Sequence, residues 1–260
     1  MMELSAINPY EKPLDYLPPD GGYTGIFRRI VCVGDSLSSG EFESTNADGG
    51  KGYHDMFEFS WGQYIARMCG SEVFNFSRGG MTAKEYCESF AEQKDFWNPQ
   101  YAAQAYIIAL GINDLLGQKQ EVGSVKDVDW ADWHNNKPTF AGYYAQIIQR
   151  LKEIQPRAKF FLMTFTRTED TLPEEHLDMQ HRRLLFDLAE ATDNTYVLDL
   201  LKYSPKYDEE FRRRYYLNGH MNPMGYMFTA KMTAAYIDYI IRHNMEDFRE
   251  VGFIGTDLHG

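Results

Sequence analysis

The chain has 260 residues, 43% of them hydrophobic, which is enough for one substantial core and forces no division into two. Its 26 basic and 38 acidic residues leave a formal net charge of −12, which repels phosphate backbones and anionic lipid surfaces and argues against nucleic acid or membrane as a partner. No apolar run approaches the ~20 residues that cross a bilayer, and the start "MMELSAINPYEKPLDYLPPDGG" has neither a basic nor an apolar segment, so a cytoplasmic location is expected.

Five apolar runs read as strands: residues 26–33, 72–76, 105–110, 159–165 and 195–200. Each is rich in Val, Ile, Phe or Tyr and bounded by Gly, Asn, Asp or Pro. Helical stripes lie between them: Trp61, Ile65 and Met68; then Tyr144, Ile147, Ile148, Leu151 and Ile154; then Leu184, Leu185, Leu188 and Ala189. A last helix is capped by Asn222, carries Pro223 in its first turn, and repeats Met227, Ala230, Ala234, Ile237 and Ile241 along one side. Alternating strands and helices predict a parallel sheet covered on both faces. We expect one domain over residues 1–260, with a core at about 27–243, an N-terminal arm and a C-terminal tail "EDFREVGFIGTDLHG". Cys32, Cys69 and Cys87 suit reduced, buried thiols better than bridges.

Segments 41–60 and 117–139 depart from this rhythm and read as long loops at the sheet edge where open α/β folds bind ligands. Trp130 and Trp133 in the second, with Tyr53, Phe57 and Phe59 in the first, are candidates to wall an acyl or sugar pocket.

Three glycine-punctuated turns end the first three strands: "VGDSLS", "NFSRGGMT" and "ALGINDLLG". A parallel sheet brings them together, so Ser36 shares a crevice with the backbone around Gly80 and the amide of Asn113, while His220 enters just before the last helix. These types suit acyl transfer. A serine hydroxyl is a weak nucleophile until an imidazole takes its proton, and the oxyanion then formed needs rigid N–H donors.

In these four segments the sequence resembles the SGNH hydrolases, or GDSL esterases and lipases, matching Ser36 in "GDSL", Gly80 in "NFSRGG", Asn113 in "GIND" and His220 in "NGHMNPMGY", in the family's order. The resemblance implies a flavodoxin-like three-layer α/β/α sandwich with a five-stranded parallel sheet. It also implies Ser36 as nucleophile, His220 as base, and an oxyanion hole of the Ser36 and Gly80 amides with the Asn113 side chain. The implied function is a serine esterase acting through an acyl-serine, with deacetylation of a carbohydrate or another small soluble ester as the first expectation. A short-chain lipase or thioesterase and a catalytically impaired binding protein are the alternatives. No cofactor is required, and without H-E-x-x-H, with His176 and His181 five apart, no metal site is expected.

One position departs from the family pattern. The family carries an acid three residues before its histidine, and here that residue is Leu217. Three readings stay open: a Ser–His dyad, an acid supplied from elsewhere such as Asp199 after the fifth strand, or lost activity. The dyad is preferred, because in serine hydrolases losing the acid costs less than losing nucleophile or base.

Overall fold

The computed structural model describes Asn8 and residues 10–260; the expected N-terminal arm lies partly outside these. Its centre is a sheet of five parallel strands, β1 (Arg29–Gly34), β2 (Glu72–Ser77), β3 (Ala105–Ala109), β4 (Lys159–Met163) and β5 (Thr195–Leu198), in the order β2-β1-β3-β4-β5. The order reverses at β1, so the chain leaves β1 and β3 on opposite sides of a crevice at their carboxyl ends, where open sheets of this kind bind ligands.

Successive side chains of a strand point to opposite faces, and here both faces are apolar. Val31, Val33, Tyr106, Ile108, Phe160 and Leu162 look toward helices α2 (Phe140–Ile154) and α3 (Leu177–Glu190). Ile30, Cys32, Ala105, Ile107, Phe161 and Met163 look toward α1 (Trp61–Cys69) and α4 (Pro223–His243). This is the three-layer α/β/α sandwich. Its helix starts are capped as the residue types dictate: Ser60 accepts from the Gln63 N–H, Thr139 from Gly142 and Asn222 from Gly225.

The expectations fail in four places. The first strand begins at Arg29, because Gly22–Ile26 forms a helical turn whose backbone is tied to Asp238 of α4. On α4, Tyr226 faces the core and Met227 is left 43% exposed. The C-terminal tail is no appendage, since Phe248, Val251 and Ile254 are buried in the α1/α4 core and the Val251 carbonyl accepts from Gln104. Finally, 41–60 is not a loop. It forms an antiparallel hairpin of Glu41–Thr45 and Lys51–Asp55, closed by a turn in which Asn46 N–H donates to the Gly50 carbonyl at 2.8 Å.

The three cysteines are free, Cys32 and Cys87 buried and Cys69 half-buried. Among the described residues no helix is long and apolar enough to cross a membrane.

Candidate active site

The turn after β1 is built by its sequence. Asp35 caps the single helical turn Ser36–Ser39, accepting the Leu37 N–H at 3.0 Å. Gly34 must be glycine, since a Cβ there would lie 2.1 Å from Ser38 Oγ. Ser36 therefore stands at the first position of a short turn on a rigid strand end, half-buried, and its hydroxyl has no hydrogen-bond partner among the described residues.

The β2 turn separates its two glycines. Gly79 lies under the Glu41 carboxylate, where a Cβ would approach Oε2 to 2.0 Å. Gly80 has φ +72° and a Cβ there would meet nothing within 4 Å, so it is the glycine that borders open space. After β3, Gly111 (φ +131°) leads into the turn Ile112–Gly117. Asn113 Nδ2 there donates to the Met81 carbonyl at 3.1 Å and reaches Asp35 Oδ2 at 3.5 Å, tying the three turns together. Asp114 points inward, fully buried, and accepts the Ala83 N–H at 2.8 Å. Behind this turn His181 is bonded through Nε2 to the Leu110 carbonyl at 3.2 Å and stacks on Phe165. Burial lowers its pKa to about 4 and keeps the ring neutral.

His220 sits on a two-residue bridge, His220–Met221 against Tyr216–Leu217, turned through Asn218 and Gly219. Leu217, where the family carries its acid, lies opposite His220 and is 46% exposed. The strand of His220 packs against the Ser36–Ser39 turn, and Met221 lines the same cavity as Leu37 and Ser38. Asp199 does not come to His220. Both its oxygens are taken by Arg182, at 2.8–3.0 Å, and it is buried at the end of β5, so it is removed as a third triad member.

The acids that do reach the imidazole come from the hairpin. Glu41 Oε1 lies 3.1 Å from His220 Nε2 and Glu43 Oε2 lies 3.6 Å from Nδ1. Tyr53, on the second strand of the hairpin, meets the ring edge-on at 5.8 Å. Residue types alone did not reveal the two glutamates, yet "EFE" holds the signal: in a strand, i and i+2 share a face. Glu41 and Glu43 face His220, while Phe42 packs between Phe59 and Tyr226. Glu43 is held below the usual carboxylate range, first by Lys51 at 2.6 Å and then by the Gly219 N–H. Glu41 is pushed up, chiefly by burial, with Asp55 and Glu43 adding and His220 opposing. Burial also carries Asp35 to about 7 against its Leu37 hydrogen bond, and Asp114 to about 6.

Beside the Ser36–Ser39 turn is an apolar cavity of about 70 Å³, lined by Leu37, Trp61, Leu110, Met163 and Met221 among others. With roughly 10–15 Å³ needed per water on this measure, it holds a handful of heavy atoms. Trp133 is elsewhere. Its Nε1 donates to Glu153 at 3.1 Å, and Glu153 lies 13 residues along α2 from Phe140, which packs at Gly111. That is about 20 Å down the helix axis from the site. Trp130 follows it, because the neighbouring Asp129 carbonyl is bonded to Gln149 of the same helix. Neither tryptophan walls this crevice. Among the described residues no group of three or more His, Cys, Asp or Glu side chains could hold a metal ion.

The fold and this arrangement define a GDSL-type hydrolase scaffold. The model of the GDSL-like Lipase/Acylhydrolase family matches residues 32–228, and the chain belongs to that family. Among solved structures it is similar to a carbohydrate esterase family 2 enzyme with a carbohydrate-binding domain from Corynascus thermopiles (Myceliophthora fergusii). Identity is 16%, the TM-score 0.55, and the match covers 82% of this chain and 66% of that one. It is also similar to a family two carbohydrate esterase from Clostridium thermocellum solved with cellohexaose, at 16% identity and TM-score 0.54, covering 85% of this chain and 65% of that one. A third similar structure is the family 3 carbohydrate esterase of Clostridium thermocellum, at 14% identity and TM-score 0.51, covering 83% and 97%. The chain thus spans just under two thirds of the first two and nearly all of the third, and at these identities the likeness is one of fold. Among curated proteins none matches the sequence.

Proposed function

We propose that this protein is a serine esterase that removes a short acyl group from a small soluble ester, with a carbohydrate as the alcohol. The observation that carries the reading is the knot at the sheet rim: Asn113 bonded to Met81 and reaching Asp35, with the His220 strand against the Ser36 turn. The small apolar cavity beside Leu37 supports a short acyl group. Family membership and the esterase neighbours support the ester, and the carbohydrate rests on those neighbours alone.

In the scheme, His220 takes the Ser36 proton as Oγ bonds to the carbonyl carbon. The oxyanion lies against the Ser36 and Gly80 N–H groups and Asn113 Nδ2, whose long 3.5 Å contact with Asp35 is exchanged for it. Collapse breaks the bond to the alcohol, which leaves with the proton from His220. Water then gives a proton to His220 and attacks the acyl carbon, the bond to Ser36 breaks, and the serine recovers its proton. No cofactor enters.

A second reading, a binding protein on the same scaffold, draws on one observation: Nε2 of His220 faces Glu41, not Ser36. Hydrolysis of short aryl esters separates the two. The esterase reading expects turnover that disappears in Ser36→Ala, and equal rates for parent and variant would overturn it.

A further inference from the structure

We infer that the hairpin after the nucleophile turn supplies the acid missing at Leu217, with Glu43 as the positioning residue that holds His220 by Nδ1. The inference rests on the esterase reading above and adds to it a residue from a different part of the chain.

An imidazole that serves as base for Ser36 must offer one ring nitrogen to the hydroxyl, and the other is then free to be held. In the structure both nitrogens face carboxylates, so one of the two must give way. The attachments decide which. Glu43 has its side chain only 2% exposed, accepts the Gly219 N–H at 2.9 Å and pairs with Lys51 at 2.6 Å, while its carbonyl accepts from Asn218 at 3.3 Å. Two of those donors are the residues directly before His220, so carboxylate and ring are referenced to the same short turn. Nδ1 of His220 is buried with no hydrogen bond of its own, and the 3.6 Å to Glu43 closes to bonding distance with a small rocking of the ring. Glu41 is held differently. Its carboxylate has His220 as its one polar partner among the described residues and is crowded by the charges of Glu43 and Asp55. It is the carboxylate that yields Nε2 to Ser36.

Replacing a buried acid that orients a catalytic histidine costs about 10⁴-fold in kcat in other serine hydrolases. We expect Glu43→Gln to lower kcat on aryl esters by roughly that factor with KM changed little, and Glu41→Gln to cost far less. Should Glu43→Gln fail to fold, Glu43→Asp carries the test. The charge stays but is withdrawn by one methylene, and the loss is in the same direction and smaller. A readout independent of turnover is NMR of protein labelled with 15N-histidine. A hydrogen-bonded Nδ1–H of His220 should persist in Ser36→Ala and Glu41→Gln and vanish in Glu43→Gln. If Glu41→Gln loses as much rate as Glu43→Gln or more, or if the Nδ1–H signal is indifferent to Glu43, the inference is overturned. If the Glu43-dependent signal is present and no Ser36-dependent turnover exists, Glu43 still holds the ring and it is the esterase reading that falls.

Discussion

The two long excursions, 41–60 and 117–139, have similar composition, polar and charged with scattered aromatics, and they end in opposite places. The first stays at the rim because it is fastened there at both ends: Gly40 follows the Ser36–Ser39 turn, its carbonyl accepts the Met56 N–H, and Ser39 donates to Asp55. The second folds back along α2, where Gln149, Glu153 and Arg150 hold Asp129, Trp133 and the Trp133 ring. Two excursions that leave the same edge of a sheet are thus sorted by the partners on the elements beside them. Aromatic content does not sort them.

The sharpest break of this contrast is at the rim itself. Ser36→Ala should remove ester turnover, roughly 10⁶-fold, because nothing else in the site replaces the hydroxyl. Asn113→Ala should cost about 10²- to 10³-fold in kcat for the loss of an oxyanion donor. Its effect on KM should be smaller, as measured by steady-state kinetics. A rate unchanged in Asn113→Ala would mean that its amide serves only to bind Met81 and Asp35.

The carboxylates of the two regions offer a third test. On the far loop Asp127, Asp129 and Asp132 are held low, each first by a hydrogen bond from a neighbouring side chain: Lys137, Asn135 and His134 respectively. At the rim Asp35 is raised from 3.8 to about 7 by burial. A carboxyl whose folded pKa lies above its unfolded one stabilises the fold fully below about pH 4 and loses that contribution as pH rises toward 7. Asp35→Asn keeps the capping oxygen and removes the ionisation. The variant's melting temperature should therefore gain on the parent's between pH 4 and pH 8. A difference that does not change over that range would show Asp35 ionising freely.

The smallest effect belongs to the far loop. Trp133→Ala forfeits the Glu153 hydrogen bond and the stacking of Arg150, worth about 1 kcal/mol of stability. Turnover should change less than about twofold. A large fall in kcat would place this loop back at the substrate.

What could be read from residues follows the same physics. The five strands were legible because they are buried on both faces and so appear as continuous apolar runs, as in "RIVCVG" and "KFFLM". The hairpin was not, because its strands "EFEST" and "KGYHD" bury little and carry charge. Ser36, Gly80, Asn113 and His220 stood out because each lies in a short motif. The acid did not, since the glutamates are contributed from about 180 positions earlier in the chain than His220, while the motif directs attention three residues upstream, to Leu217. Asp199 stood at a plausible strand end, but its partner Arg182 is fixed by the packing of α3 on β5, which no local pattern reports.

Activation of Ser36 as a nucleophile by His220 is what a fluorophosphonate probe reads. Mass spectrometry should find the folded protein labelled at Ser36, with labelling slowed by orders of magnitude in His220→Ala. No adduct at Ser36, or equal labelling rates in parent and His220→Ala, would contradict it.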